Sequence, residues 1–146
     1  MKAFSFRLQS LLMLRESKKN LAMINYRKIL KRRIQAEYFI KRELEKQIKY
    51  EKQFSKKDKE RFSPKTATQQ SLAIDYGRKT IGLIESTLVD LKKKEKKSLK
   101  ELLDAKSQLT LLEKLKAKKQ SAYKHQYLEW ERNEIEEIAQ IRRNWL

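Results

Sequence analysis

Few side chains in this 146-residue chain have the type or spacing to make and break bonds. His125 is the single histidine and there is no cysteine, so no ligand set surrounds it and it reads as a surface imidazole. Glu136 and Glu137 are adjacent, and adjacent residues of a helix do not face each other, so they make no acid–base couple. Gly77 and Gly82 lie inside a helical pattern and cannot build a loop whose amides cradle phosphate. No catalytic centre, cofactor or metal site is expected. What remains is charge. Lys92, Lys93, Lys94, Lys96 and Lys97, with Arg27, Lys28, Lys31, Arg32 and Arg33, are dense enough to hold phosphate. Glu95, Glu101 and Asp104 are interleaved with them, however, and no basic region precedes a zipper. These runs therefore read as a solvated outer face, and nucleic acid is not the expected partner.

The formal net charge is +18, unevenly spread. Residues 1–63 hold 19 basic and 7 acidic side chains, residues 64–121 hold 14 and 7, and residues 122–146 hold 4 and 5. The body favours acidic partners, and the last segment is chemically distinct from it. Absence of cysteine suits a reducing compartment. Arg7 falls too early for the apolar core of a signal peptide. The longest uncharged run, Thr66–Ile74, has nine residues, far below the ~20 of a membrane span. A cytosolic chain with no transmembrane segment is expected.

The elements that carry these residues are long helices, because two glycines and one proline leave too few turn residues for a sheet. Steps of three and four from Ile74 give Ile74, Gly77, Ile81, Ile84, Leu88, Leu91, Glu95, Ser98, Leu102, Ala105, Leu109 and Leu112. Nine of those twelve are apolar, which marks a coiled-coil seam. A weaker seam precedes it: Leu12, Glu16, Lys19, Met23, Tyr26, Leu30, Arg33, Glu37, Ile40, Leu44, Gln47, Glu51 and Phe54, with seven of thirteen apolar and Ile34 and Ile48 widening the stripe. The fold class is all-α: one domain, 1–146, of two long helices in an antiparallel coiled-coil hairpin. Helix one covers about 5–60 from Ser5, the turn about 61–66, and helix two about 67–142. Ser63-Pro64 stops the first helix, and Thr66 with Gln69 reads as a capping box for the second, with Thr68 as an alternative cap.

Folding back near 63–64 pairs residues whose numbers sum to roughly 128. Ile40 then meets Leu88, Leu44 meets Ile84, Leu30 meets Ser98 and Phe54 meets Ile74. Arg33 meets Glu95, a seam ion pair that would fix register. Helix one runs out near residue 123, so helix two overhangs by about twenty residues, or ~30 Å at 1.5 Å each. Tyr123, Tyr127, Trp130, Ile138, Ile141 and Trp145 lie in or beside that overhang, which must fold back or dock. Tyr76 and Leu83 point away from the seam with Leu72 close by, and the neighbouring glycines would let another surface approach. This patch is an expected protein-docking face.

The opening Phe4-Ser-Phe6-Arg7-Leu8-Gln9-Ser-Leu11-Leu12-Met-Leu14-Arg15-Glu16 resembles the aromatic-Arg-Leu-Gln-x-Leu-Leu-x-Leu-Arg start of the FliJ family, the small coiled-coil stalk proteins of the bacterial flagellar type III export apparatus. Ile74-Asp75-Tyr76 fits the start of that family's second helix. The close, Leu112-Glu-Lys-Leu115-Lys-Ala-Lys-Lys119-x-x-x-Tyr123 followed by Glu134-Ile135-Glu136-Glu137-Ile138-Ala139, is similar to its basic stretch and acidic-aliphatic tail, although Asp is commoner where Glu136 stands. The resemblance implies a non-enzymatic stalk like the central shaft of rotary ATPases. Such a stalk inserts into the hexameric flagellar export ATPase, promotes its assembly and links it to the cytoplasmic domain of the export gate. Some members escort export chaperones. The same resemblance assigns ring contact to Leu8, Leu11, Leu12, Arg15, Leu115, Lys116, Lys118, Lys119 and Tyr123. It assigns gate contact to Leu72, Tyr76, Thr80 and Leu83, and it places the chain in the cytoplasm, peripheral to the inner membrane at the flagellar base. Competing readings are the equivalent stalk of a virulence secretion system, a basic nucleic-acid-binding coiled coil, and a structural homo-oligomer.

Overall fold

The structure, a computed structural model, describes residues 1–56 and 64–145, with side chains through residue 53 and from residue 64. Two helices make up almost all of it: α1, Gln9–Lys56, and α2, Pro64–Trp145, and the described residues contain no strand. The fold is all-α.

Helix boundaries differ from expectation in ways that local chemistry explains. α1 starts at Gln9 rather than near Ser5, because residues 1–6 form a non-helical lead whose Phe6 is buried and whose Phe6 carbonyl accepts from Gln9 N at 3.0 Å. α2 starts at Pro64, where the missing amide proton costs a helix nothing and the fixed φ suits its first turn. Thr66 and Thr68 therefore lie inside α2 rather than ahead of it, and the Thr68 hydroxyl donates to its own helix at Pro64 O, 2.8 Å away. Arg142 and Arg143 occupy the last turn of α2, where cations offset the helix dipole, and the helix continues to Trp145 instead of ending near 142. The expected end of helix one near 60, the turn at 61–63 and the Phe54–Ile74 pairing lie outside the described residues and side chains.

The chain divides into two compact units. A terminal unit holds residues 1–21 and 102–146, and a mid-sequence unit holds residues 22–101. In the terminal unit, Phe6, Leu12 and Leu109 form a buried cluster with Phe4, Leu8 and Leu112 packed against it. In the mid-sequence unit, Ile81, Gly77, Gln47 and Ser98 are buried.

Every one of the twelve α2 seam positions from Ile74 to Leu112 is buried or half-buried. α1 follows its expected seam except at Glu16, Leu44 and Glu51. Leu12, Lys19, Tyr26, Arg33, Ile40 and Gln47 face inward as expected. Met23, Leu30 and Glu37 are half-buried as expected, with Ala22, Ile29 and Ala36 half-buried beside them. Glu16, Leu44 and Glu51 are exposed, and Arg15 and Glu43 turn inward next to the first two. Ile34 and Ile48 are each about half exposed and do not widen the stripe. The cause is the partner surface. Gln47 lies over Gly77, the one seam position of α2 without a side chain, and donates from Nε2 to Ile74 O at 3.3 Å. With Glu43 and Gln47 turned inward, Leu44 and Ile48 are left on an open apolar groove shared with Ile40 and Leu88.

Candidate partner-binding surfaces

In the mid-sequence unit, the two charges that interrupt the seams meet. Arg33 Nε touches Glu95 Oε2 across the helices without hydrogen-bond alignment, and Arg33 Nη1 donates to Glu37 Oε1 at 2.9 Å along α1. The Glu37 hydrogen bond is the largest influence on the guanidinium, opposed by desolvation and helped by the charges of Glu37 and Glu95. Together they hold its pKa above the ordinary arginine value. The pair is a polar lock inside an apolar stripe, and such locks discriminate between registers more than they stabilise. Ile40 and Leu88 line one groove as the fold-back arithmetic requires. Ile29, not Leu30, shares a groove with Ser98, and Leu44 stands beside Ile81 and Glu85.

The terminal unit joins the two ends of the chain. Leu12 is buried, Leu8 packs on the same cluster, and Leu11, Arg15, Lys116 and Tyr123 are half-buried. These residues hold the termini together. Arg15 Nη1 donates to Gln108 Oε1, and the Tyr123 hydroxyl donates to the Lys2 carbonyl at 2.5 Å. Leu115, Lys118 and Lys119 are exposed and available to a partner. Phe4 lies 5.6 Å from Tyr123 between ring centroids, and the series continues through Tyr127 at 6.4 Å to Trp130 at a further 5.8 Å. Beyond Tyr123 every described residue is exposed, including Ile138, Ile141 and Trp145. The overhang stays one continuous helix and does not fold back.

Leu72, Tyr76 and Leu83 are 62%, 74% and 72% exposed, all in the mid-sequence unit. Steps of four and eleven residues at 100° each bring the three within about 40° of one another on α2, so they form one stripe. Thr80 is half-buried and its hydroxyl donates to Tyr76 O at 2.9 Å, so it presents a methyl more than a donor. Of the two glycines, Gly82 is open, but Gly77 is covered by Gln47 and offers nothing to a partner.

His125 stands exposed with Glu129 3.6 Å away on the same helix face, and Glu136 lies 3.8 Å from Arg132. Among the described residues no group of three or more His, Cys, Asp or Glu could hold a metal ion, and no helix is long and apolar enough to cross a membrane. No family model, curated protein or solved structure matches the chain.

One core residue and one cross-helix contact were not anticipated from sequence. Phe6 belongs to the core of the terminal unit, and the signal was the alternation of Phe4, Phe6 and Leu8, a period of two ahead of the helical repeat. Gln47 was expected on the seam, but its bond to Ile74 O was not, since that depends on Gly77 lying opposite.

Proposed function

We propose that this chain is a non-enzymatic stalk and adaptor of the bacterial flagellar export apparatus. The observation that carries the reading is that the two stretches bearing the FliJ-family resemblance, Phe4–Leu14 and Leu112–Tyr123, pack on one another in a single unit. Together they make a two-helix tip from which α2 alone projects, with its aromatic series uncovered. That tip inserts into the pore of the hexameric export ATPase and promotes assembly of the ring. Leu115, Lys118 and Lys119 meet its lining while Leu8, Leu12 and Tyr123 keep the ends joined. Lys and Arg side chains are drawn to an acidic pore without demanding one geometry. The Leu72–Tyr76–Leu83 stripe docks on the cytoplasmic domain of the export gate, and free export chaperones are further cargo. The chain works in the cytoplasm, peripheral to the inner membrane at the flagellar base.

A pulldown of the purified chain with the export ATPase and, separately, with the gate domain tests this. Capture of both is expected, with loss of the gate alone in Tyr76→Ala/Leu83→Ala. Capture of neither refutes the assignment.

A further inference from the structure

Around Arg33 two carboxylates turn inward, while Asp90 and Glu101 stay exposed on α2. Glu37 and Glu95 both lie against the Arg33 guanidinium. The outward positions beside them carry exposed cations: Arg27, Lys28 and Lys31 on α1, and Lys93, Lys96 and Lys97 on α2. Tyr26, Ile29 and Leu30 of α1 face the seam, as do Leu91, Glu95 and Ser98 of α2. Arg27, Lys28 and Lys31 therefore stand on one outer face of the helix pair and Lys93 and Lys96 on the other, with Lys97 at the edge of the groove it lines with Ile29 and Ser98. None of the six takes part in an ion pair among the described residues. The fold gains no ion pair from them. Arg27 with Lys31, and Lys93 with Lys97, are like charges four residues apart, an arrangement that weakens a helix.

We propose that this collar is embraced by the acid-lined aperture of a ring-shaped protein, so that carboxylates approach both outer faces at once. The proposal rests on the ring-partner reading above and adds a second contact to it, in the mid-sequence unit. The placement of charge favours a ring over other polyanions. A nucleic-acid duplex or a membrane surface approaches from one side and leaves the opposite set facing water. A ring reaches both, and flexible lysine stems let it do so at any azimuth.

The test uses the full chain, the purified hexameric export ATPase as probe, and three variants: Lys28→Gln/Lys31→Gln, Lys93→Gln/Lys97→Gln and Lys118→Gln/Lys119→Gln. Affinity is read by fluorescence anisotropy at low and high salt, with far-UV circular dichroism as the folding control. Each collar variant is expected to weaken binding at low salt by about threefold to tenfold, the yield of two exposed ion pairs. The differences shrink at high salt. Loss confined to one collar variant means one-sided docking and overturns the proposal. Collar variants that bind like wild type while Lys118→Gln/Lys119→Gln binds weakly also overturn it, yet leave the ring reading standing. A wild-type chain that does not bind the hexamer removes both. A short DNA duplex is the counter-probe: if both collar variants lose duplex binding and keep hexamer binding, the collar belongs to nucleic acid and the proposal falls.

Discussion

Replacing Gly77 by alanine should behave differently from the same change five residues on, at Gly82. Neither glycine has positive φ, so both are ordinary helical positions. At Gly82 a new Cβ meets nothing within 4 Å. Gly82→Ala should therefore return the full helix-propensity gain of about 1 kcal/mol. At Gly77 the new Cβ would overlap Gln47 Nε2 and stand 3.1 Å from its Cδ. The amide is the end of a flexible side chain, so it swings away. The cost is the loss of its hydrogen bond to Ile74 O, about 1 kcal/mol, and of the packing of a side chain only 7% exposed. Gain and loss then cancel, and Gly77→Ala should leave stability unchanged or slightly lowered. In a Gln47→Ala background nothing blocks the methyl, and Gly77→Ala should again stabilise by about 1 kcal/mol. Urea denaturation followed by circular dichroism measures all four variants, and the cycle gives a coupling of about 1 kcal/mol between positions 47 and 77. Equal stabilisation by Gly77→Ala and Gly82→Ala in the wild-type background would falsify the Gln47 account of the α1 register.

Other consequences are equally direct. Arg33→Ala leaves Glu95 half-buried without its cross-helix partner and should lower Tm more than Arg78→Ala, which breaks an exposed pair with Glu51 at 3.3 Å. The Arg33 pKa is raised, so its contribution is complete below the unfolded value and lost only as pH climbs through the folded one. Thermal scans across the neutral range should show no pH dependence from this residue. Phe6→Ala removes one of three buried side chains of the terminal cluster and should cost about 3 kcal/mol by denaturant unfolding; no loss would mean the N-terminal lead is not packed. Tyr76→Ala/Leu83→Ala should leave Tm within a degree or so, since both side chains are largely exposed, yet weaken gate binding by about tenfold or more in calorimetric titration.

The second helix was the more legible of the two, for a reason visible in its residues. From Ile81 through Leu109 seven of nine steps of three or four land on an aliphatic side chain, so the stripe is easily drawn. The first helix offers adjacent choices, Ala22 or Met23, Ile29 or Leu30, Ala36 or Glu37, and the repeat alone does not choose between them. The packed structure half-buries both members of each pair, the small alanines included, and leaves Leu44 and Ile48 exposed. Polar seam residues separate by the same logic. Arg33 and Glu95 could be paired because opposite charges declare each other. Gln47 could not, because its partner is a carbonyl exposed by the absence of a side chain at Gly77. For the surfaces, the sequence placed Leu72, Tyr76 and Leu83 on the outer side, where they stand. It could not separate Leu12, which holds the termini together, from Lys118 and Lys119, which face outward, because that depends on which neighbour covers each.

Turnover of the purified export ATPase, measured as the chain is titrated in, tests the stalk assignment most directly. A saturable rise that reaches its plateau near one chain per hexamer is the expected result. It should be damped by salt and by charge reversal at Lys116, Lys118 and Lys119. Turnover that stays flat at every ratio, or a rise indifferent to both salt and charge reversal, would contradict a basic shaft seated in an acidic ring.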